Sequence, residues 1–185
     1  MPPSRPIIST AEKLFRGTLA VATERGPRGV TYRNVAGKAG TSVGTIKYHF
    51  ADLEELLFKS FEYYVDSVAQ RYVDDLRDAR SLSELLDVLV GITGQRMLSD
   101  PNDATLMYTL YAHAARNDRY RALVRRWMAR TRGALGAHMP TGLTIEIEAI
   151  VEGAILQKAI GEDGPSDAQL RRLLTTVLRA GGVTA

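Results

Sequence analysis

Apolar residues recur along the chain at intervals of three and four, the spacing that aligns side chains on one face of an α-helix. The first such stripe runs from Leu14 to Ala22 and ends before Gly26-Pro27, a pair that does not continue a helix. No run of alternating β-branched residues is bounded by hairpin turns. The pattern therefore predicts an all-α fold.

The same spacing predicts a series of further helices after the first quarter of the chain. A long helix is expected over about 52–78, and others open near Ser81 and after Pro101. Three more are expected near 118–138, 144–161 and 166–180. Together with three short helices before residue 51, these give about nine helices in total.

The stretch from Asn34 to Phe50 favours two short helices joined by a tight turn. Thr31 and Ser42 are residue types that cap helix N-termini, and Gly40 lies where the chain needs a positive φ to turn. Such a pair is typical of a helix-turn-helix, whose second helix enters the major groove of DNA.

A phosphate-binding loop is the alternative that the glycines of this stretch suggest. A nucleotide P-loop requires Gly-x-x-x-x-Gly-Lys-Ser/Thr after a buried strand. Here Lys38 is followed by Ala39, and the preceding residues have a helical pattern. The dinucleotide motif Gly-x-Gly-x-x-Gly is also absent, so the helix-turn-helix interpretation is preferred.

Charge is distributed unevenly along the 185 residues. The chain carries a formal net charge of +3, but residues 1–50 contain eight Lys/Arg and only two Glu. The rest of the chain has more acidic than basic residues. A basic module on a mildly acidic body suggests a polyanionic partner for the module, and an ordinary solvated basic face is the other interpretation.

Composition restricts the chemistry further. There is no cysteine and there are three histidines, so disulfides and thiol nucleophiles are excluded, and we expect neither a bound metal nor a cofactor. No window approaches 18 consecutive apolar residues. We therefore expect a soluble, cytoplasmic protein without a membrane partner.

The span from about Leu14 to Leu57 resembles the DNA-binding domain of the tetracycline-repressor (TetR) family. The resemblance is carried by ERG at the end of the first helix, VTYRNVAGKAGTSVGTIKYHF after it, and the acidic helix start DLEELL. The segment VEGAILQ further on is similar to the penultimate helix of such regulators.

The resemblance implies a fold, a function and a set of partners. The fold is an N-terminal three-helix helix-turn-helix DNA-binding domain at 1–51 and a larger helical ligand-binding and dimerisation domain at 52–185. The function is that of a homodimeric bacterial repressor, which a small-molecule effector releases from a pseudo-palindromic operator in double-stranded DNA.

Family positions identify candidate DNA-binding residues in the second helix and the recognition helix. Arg33 is the candidate for reading a base edge, and Lys47 stands where the family usually has an aromatic residue. Leu53 replaces a phosphate-binding lysine that many members have. The full candidate set is Thr31, Tyr32, Arg33, Ser42, Val43, Thr45, Lys47, Tyr48 and His49.

Broad and polarizable side chains on the later helices are candidates for an effector pocket. Aromatic and methionine stripes at helical spacing are also typical of an ordinary core. The candidate pocket set is Met107, Tyr108, Tyr111, Trp127, Met128, Glu152 and Gln157.

The last two helices carry more apolar residues than one side of a terminal hairpin usually covers. Four such helices from two chains can form a bundle, so these helices are the candidate dimer interface. The interface set is Val151, Gly153, Ala154, Ile155, Leu170, Leu174, Val177 and Leu178.

Other functional classes stay open at this point. An activator or a co-repressor-dependent regulator would have the same fold. A helical enzyme is less favoured, because no acid/base pair has a nucleophile or metal partner at a recognisable spacing. Glu148 and Glu152, four residues apart, are interpreted as a solvated or ion-paired edge. A protein-binding helical module is the remaining alternative.

Overall fold

A computed structural model of the chain describes residues 9–94, 101–161 and 164–183. Within these ranges it contains nine α-helices, one short 3-10 turn and no β-strand, which confirms the predicted all-α fold. The helices divide between two compact units that meet at Val65 and Asp66, inside the long fourth helix. The division at residues 51 and 52 stays a prediction.

The first unit contains the short helices. Its elements are α1 (Thr10–Arg25), a 3-10 turn (Pro27–Gly29), α2 (Tyr32–Ala39), α3 (Val43–His49) and the beginning of α4 (Leu53–Asp78). The core of this unit is built from fully buried side chains, namely Leu14, Val35, Ile46, Leu56 and Phe61. Each such burial contributes about 1.5–3 kcal/mol to folding.

Helix α1 packs against α2 at very short range. A Cβ atom placed on Gly17 would lie 2.9 Å from Cβ of Ala39 and 3.1 Å from its backbone nitrogen. Glycine at position 17 therefore allows the two backbones to approach as closely as they do.

The turn between α2 and α3 follows from capping chemistry. The side chain of Thr31 accepts a hydrogen bond from the Asn34 amide, and that of Ser42 accepts one from the Thr45 amide. Gly40 ends α2 with φ of 63°, a left-handed conformation that glycine adopts without a Cβ penalty. The predicted helix-turn-helix is therefore present.

The second unit contains the rest of α4 and five further helices. These are α5 (Leu82–Ile92), α6 (Pro101–Ala114), α7 (Asp118–Leu135), α8 (Thr141–Ile160) and α9 (Asp167–Ala180). Helix α7 packs on α6 and α8, whereas α9 packs on α5 and α8. None of the helices in the described ranges is long and apolar enough to cross a bilayer.

Helix α9 shows how local and tertiary signals combine. Ser166 and Gln169 form a reciprocal capping box at its N-terminus. Leu170, Leu174 and Leu178 repeat every four residues and are each no more than 1% exposed. Because α5 and α8 of the same chain contact α9, this stripe belongs to the core of the second unit.

Candidate DNA-binding surface and ligand cleft

The second and third helices present their polar residues to solvent. Tyr48 is 86% exposed, and Arg33, Lys47 and His49 are also exposed. Val43, Thr45 and Tyr32 are partly exposed, while Val35 and Ile46 face the core. The outward residues combine cations, hydroxyls and rings, which are the groups that contact phosphates and base edges.

Two of the candidate residues have capping roles as well. Thr31 and Ser42 use their side-chain oxygens to hold the first turns of α2 and α3. The Ser42 and Thr45 hydroxyls also lie 2.9 Å apart, within hydrogen-bonding distance. These contacts fix the orientation in which the N-terminus of α3 is presented.

Lys47 and Tyr32 join the two helices through a cation–π contact. The Lys47 ammonium nitrogen lies 5.3 Å from the centroid of the Tyr32 ring, within the usual range of the interaction. The lysine that replaces the usual aromatic residue is therefore paired with an aromatic ring from the neighbouring helix. Sequence reasoning identified both residues but not the contact between them.

A hydrogen-bond cluster connects α1 to α4 in the first unit. The Tyr63 hydroxyl donates to a Glu12 carboxylate oxygen at 2.9 Å, and the Arg16 guanidinium donates to the same oxygen at 2.7 Å. The Tyr63 hydrogen bond, followed by the Arg16 contacts, lowers the pKa of Glu12 below its ordinary value. Phe15 packs on the Tyr63 ring with centroids 5.6 Å apart.

A cleft in the second unit collects residues from α4 to α8. Its room for water-sized molecules is about 50 Å³, and the space of about 510 Å³ between its atoms includes open solvent. Five of the predicted residues line it, namely Met107, Tyr111, Trp127, Met128 and Glu152.

The structure places the other two predicted pocket residues elsewhere. Gln157 is exposed on α8 and does not line the cleft. Tyr108 lines a separate cleft between α6 and the end of α8, and its ring lies edge-on to that of Tyr111 at a centroid distance of 6.2 Å. Burial raises the pKa of Tyr108 to about 12, and the charge of Glu152 adds to this.

Several lining residues were not identified as pocket residues from the sequence. Tyr72 of α4, Thr131 of α7 and Glu148 of α8 supply polar groups, and most of the remaining wall is aliphatic. Tyr72 appears in the sequence only as part of the α4 apolar stripe. Glu148 was interpreted as an edge residue, and it does form an ion pair, with Arg132.

The two carboxylates of the cleft have different partners. Glu148 is paired with Arg132, and its side chain is 12% exposed. Burial raises the pKa of Glu148, and the Arg132 hydrogen bond and charge partly offset that effect. Glu152 accepts a 2.6 Å hydrogen bond from the Tyr111 hydroxyl, and burial together with this carboxylate raises the pKa of Tyr111 strongly.

Most of the predicted interface residues face the interior of the chain. Leu170, Leu174 and Leu178, which were predicted for the dimer interface, are buried against α5 and α8 of the same chain. On α8 the inward residues are Val151, Ala154 and Ile155. Gly153 and Val177 are partly exposed.

A different set of apolar residues on the last two helices is exposed. Ile145 is 52% exposed, Leu156 41%, Ile160 76% and Leu173 48%. The three residues on α8 fall within about 60° of one another around the helix axis. Helix α8 is thus apolar on its outer face as well as on its inner face.

Comparisons with known proteins match both parts of the chain. Residues 7–59 match the sequence model described as bacterial regulatory proteins of the tetR family. Residues 78–180 match the tetracyclin repressor-like C-terminal domain. The two matches together cover most of the chain.

Individual relatives agree with these matches. The chain is 26% identical over 125 residues to the HTH-type transcriptional regulator CymR of Pseudomonas putida, a match that covers 68% of this chain and 61% of CymR. The crystal structure of SCO7518 from Streptomyces coelicolor A3(2) is 27% identical, with a TM-score of 0.81 over 91% of this chain and 97% of that one. A TetR family member from the same species, SCO1917, is 25% identical with a TM-score of 0.77, over 91% of this chain and 98% of that one.

Proposed function

This chain belongs to the tetracycline-repressor family of bacterial regulatory proteins, and we propose that it is a sequence-specific transcriptional repressor. In this proposal it binds a pseudo-palindromic operator in double-stranded DNA as a homodimer. A small molecule that enters the cleft of the second unit releases it. Its working compartment is the cytoplasm, where that DNA is found.

The observation that carries the proposal is the outward surface of α2 and α3. Two capped helices meet at the Gly40 turn, and the second presents Lys47, Tyr48 and His49 to solvent. In this mode α3 enters the major groove, Arg33 reads a guanine edge, and Thr31, Ser42 and Thr45 contact phosphates beside it.

The dimer is proposed on the outer face of α8 and α9. Ile145, Leu156 and Leu173 are large apolar side chains that one copy leaves in water, and a second copy would cover them in a four-helix arrangement. Gly153 and Val177 lie at the partly exposed margin of these helices. The inward leucines of α9 stabilise each subunit instead.

Release by a ligand requires a difference in affinity between two states. A ligand weakens operator binding only if it binds the DNA-incompetent arrangement more tightly. The operator must then weaken ligand binding by the same factor. Tyr111, Trp127 and Met128 are the broad or polarizable walls against which such a ligand would pack.

Selection of bound duplexes from a random pool tests the proposal directly. The expected product is a palindromic motif whose half-sites are separated by about one DNA turn, roughly 34 Å, or a multiple of it. Enrichment of no motif, or no duplex binding even at low salt, would contradict a DNA-reading function. A reporter carrying the selected site then separates repression from activation by its sign.

A further inference from the structure

We propose that the effector taken by the cleft is an organic monocation with an apolar or aromatic body, and that Glu152 is its counter-charge. The inference rests on the proposed function in one respect, namely that the cleft is the effector site. It adds the chemical class of the ligand and the residue that selects it.

The first step is the charge balance of the cleft. Of the residues that the structure describes, two carboxylates line it, and no lysine, arginine or histidine does. Arg132 forms an ion pair with Glu148 from outside the lining. Among the described residues, Glu152 forms no ion pair and is held only by the phenol of Tyr111. The cleft therefore presents one negative charge that this part of the protein does not neutralise.

The second step concerns the walls around that charge. Val68, Ile92, Leu135, Val151 and Ile155 form an aliphatic wall. A carboxylate beside such a wall loses part of its hydration when a ligand displaces the water, and an apolar ligand cannot replace it. A ligand that brings a positive charge compensates this loss, whereas an anion adds repulsion.

The third step is the aromatic component. The Tyr111 and Trp127 rings lie with centroids 6.0 Å apart at an angle of 42°, and Tyr72 lines the same cleft. Aromatic faces attract cations, most strongly where water is excluded. Rings and an unpaired carboxylate together favour a quaternary or protonated amine over a neutral molecule of the same shape.

Trp127 allows this to be measured without DNA. It is the one tryptophan of the sequence and it lines the cleft, so its fluorescence reports occupancy of the cleft directly. The probes are phenyltrimethylammonium and tert-butylbenzene, which have nearly the same shape and differ in charge. We expect the cation to bind the unmodified chain about tenfold or more tightly than the neutral probe, as a partly desolvated charge contact would give.

Substitution on α8 identifies the residue responsible. Glu152→Gln keeps the shape and a hydrogen-bond acceptor for Tyr111 but removes the charge. It should abolish most of the preference for the cation and leave binding of tert-butylbenzene within about threefold. Glu146→Gln is the matched control, because Glu146 lies on the same helix, is exposed and does not line the cleft. It should retain the full preference.

The outcomes separate this inference from the proposed function. Equal binding of the two probes to the unmodified chain overturns the inference, and so does the absence of a saturable response to the cation at millimolar concentration. A preference that survives Glu152→Gln, or is lost equally in Glu146→Gln, also overturns it. The probe comparison needs no variant, so a Glu152→Gln chain that fails to fold still leaves the charge preference of the cleft, and with it the ligand class, decided. Selection of bound duplexes with the same preparation tests the DNA-binding function independently. The ligand class and the DNA-binding function can therefore each be contradicted without the other.

Discussion

Gly17 of α1 and Ala39 of α2 approach each other so closely that no side chain can be added between them. A Cβ on Gly17 would meet Cβ of Ala39 at 2.9 Å and its Cα at 3.2 Å. Neither atom belongs to a flexible side chain that could move aside. The angle at which α2 leaves the first helix therefore depends on this glycine.

Gly17→Ala should consequently destabilise the first unit. The steric cost of overpacking, about 1–3 kcal/mol, opposes a gain of about 1 kcal/mol from helix propensity. Gly37→Ala is the control, since Gly37 is exposed in α2 and an added Cβ would meet nothing within 4 Å. Urea unfolding should show a lower free energy of unfolding for Gly17→Ala and a slightly higher one for Gly37→Ala. Equal effects at both positions would mean that the packing relaxes freely.

Arg33 is predicted to read sequence. Arg33→Ala should cost about 1–3 kcal/mol of operator binding and relax the preference at one base pair in each half-site. Competition binding with single-base variants of the selected operator measures this. An Arg33→Ala protein with an unchanged base preference would remove Arg33 from the residues that read bases.

Lys47 is predicted to act on the phosphates instead. Lys47→Ala should weaken binding to all duplexes alike and flatten the slope of log affinity against log salt by about 0.9 per lost phosphate contact. Tyr32→Leu removes the ring under the ammonium while leaving the charge. It should preserve most of the salt slope and weaken binding less. If Tyr32→Leu weakened DNA binding more than Lys47→Ala does, the Tyr32 ring itself would be the principal contact with the DNA.

The exposed and buried leucines of α9 distinguish assembly from folding. Leu173 is 48% exposed and Leu174 is fully buried. Leu173→Glu should yield a folded monomer if the outer face of α8 and α9 is the dimer interface. Leu174→Glu should unfold the chain, because a lone buried charge costs several kcal/mol. Sedimentation measures the assembly state of each variant and circular dichroism its folding. A Leu173→Glu protein that remains a dimer would place the dimer interface elsewhere.

The Glu12 cluster predicts a pH dependence of stability. Because the folded pKa of Glu12 lies below the value of 4.5 that applies without these contacts, its stabilising contribution is complete above about pH 5 and is lost as the pH falls through the folded pKa. Tyr63→Phe removes the hydroxyl that donates to Glu12 and keeps the ring on Phe15. Its melting temperature should depend less on pH between about 3 and 5 than that of the unmodified chain. If the melting temperatures of the two proteins changed with pH in parallel, the Tyr63–Glu12 hydrogen bond would not be the source of the pH dependence.

Much of the first unit could be predicted from sequence because its signals are local. Thr31 and Ser42 cap the helices that follow them, and Gly40 marks the turn, whatever the rest of the chain does. The bounds of α2 and α3 follow from residues within one turn of each end. The contact between Lys47 and Tyr32 could not be predicted in this way, since it depends on the crossing of two helices.

The cleft was only partly predictable because its walls come from five helices. Tyr111 and Trp127 are broad side chains on helices that face one another, but aromatic stripes indicate a core as readily as a pocket. Glu148 and Glu152 have the spacing of a solvated pair, and their burial depends on the neighbouring helices. Similarly, α8 is apolar on opposite faces, so the pattern alone did not show which face the same chain covers.

The Gly40 turn has a consequence for any attempt to retarget this protein to another DNA site. Its left-handed backbone strains residues other than glycine at position 40 by about 1–2 kcal/mol, whereas Val43, Thr45 and Tyr48 on the next helix have side chains directed at least partly outward. A library that randomises these three positions while holding Gly40 and Ser42 fixed would keep the geometry of the turn between α2 and α3. It would vary only side chains that face outward on α3. In a complete substitution scan of residues 31–50 scored by folding, the fewest substitutions should therefore be tolerated at the Gly40 turn. The most should be tolerated at Tyr48, where no core contact constrains the side chain.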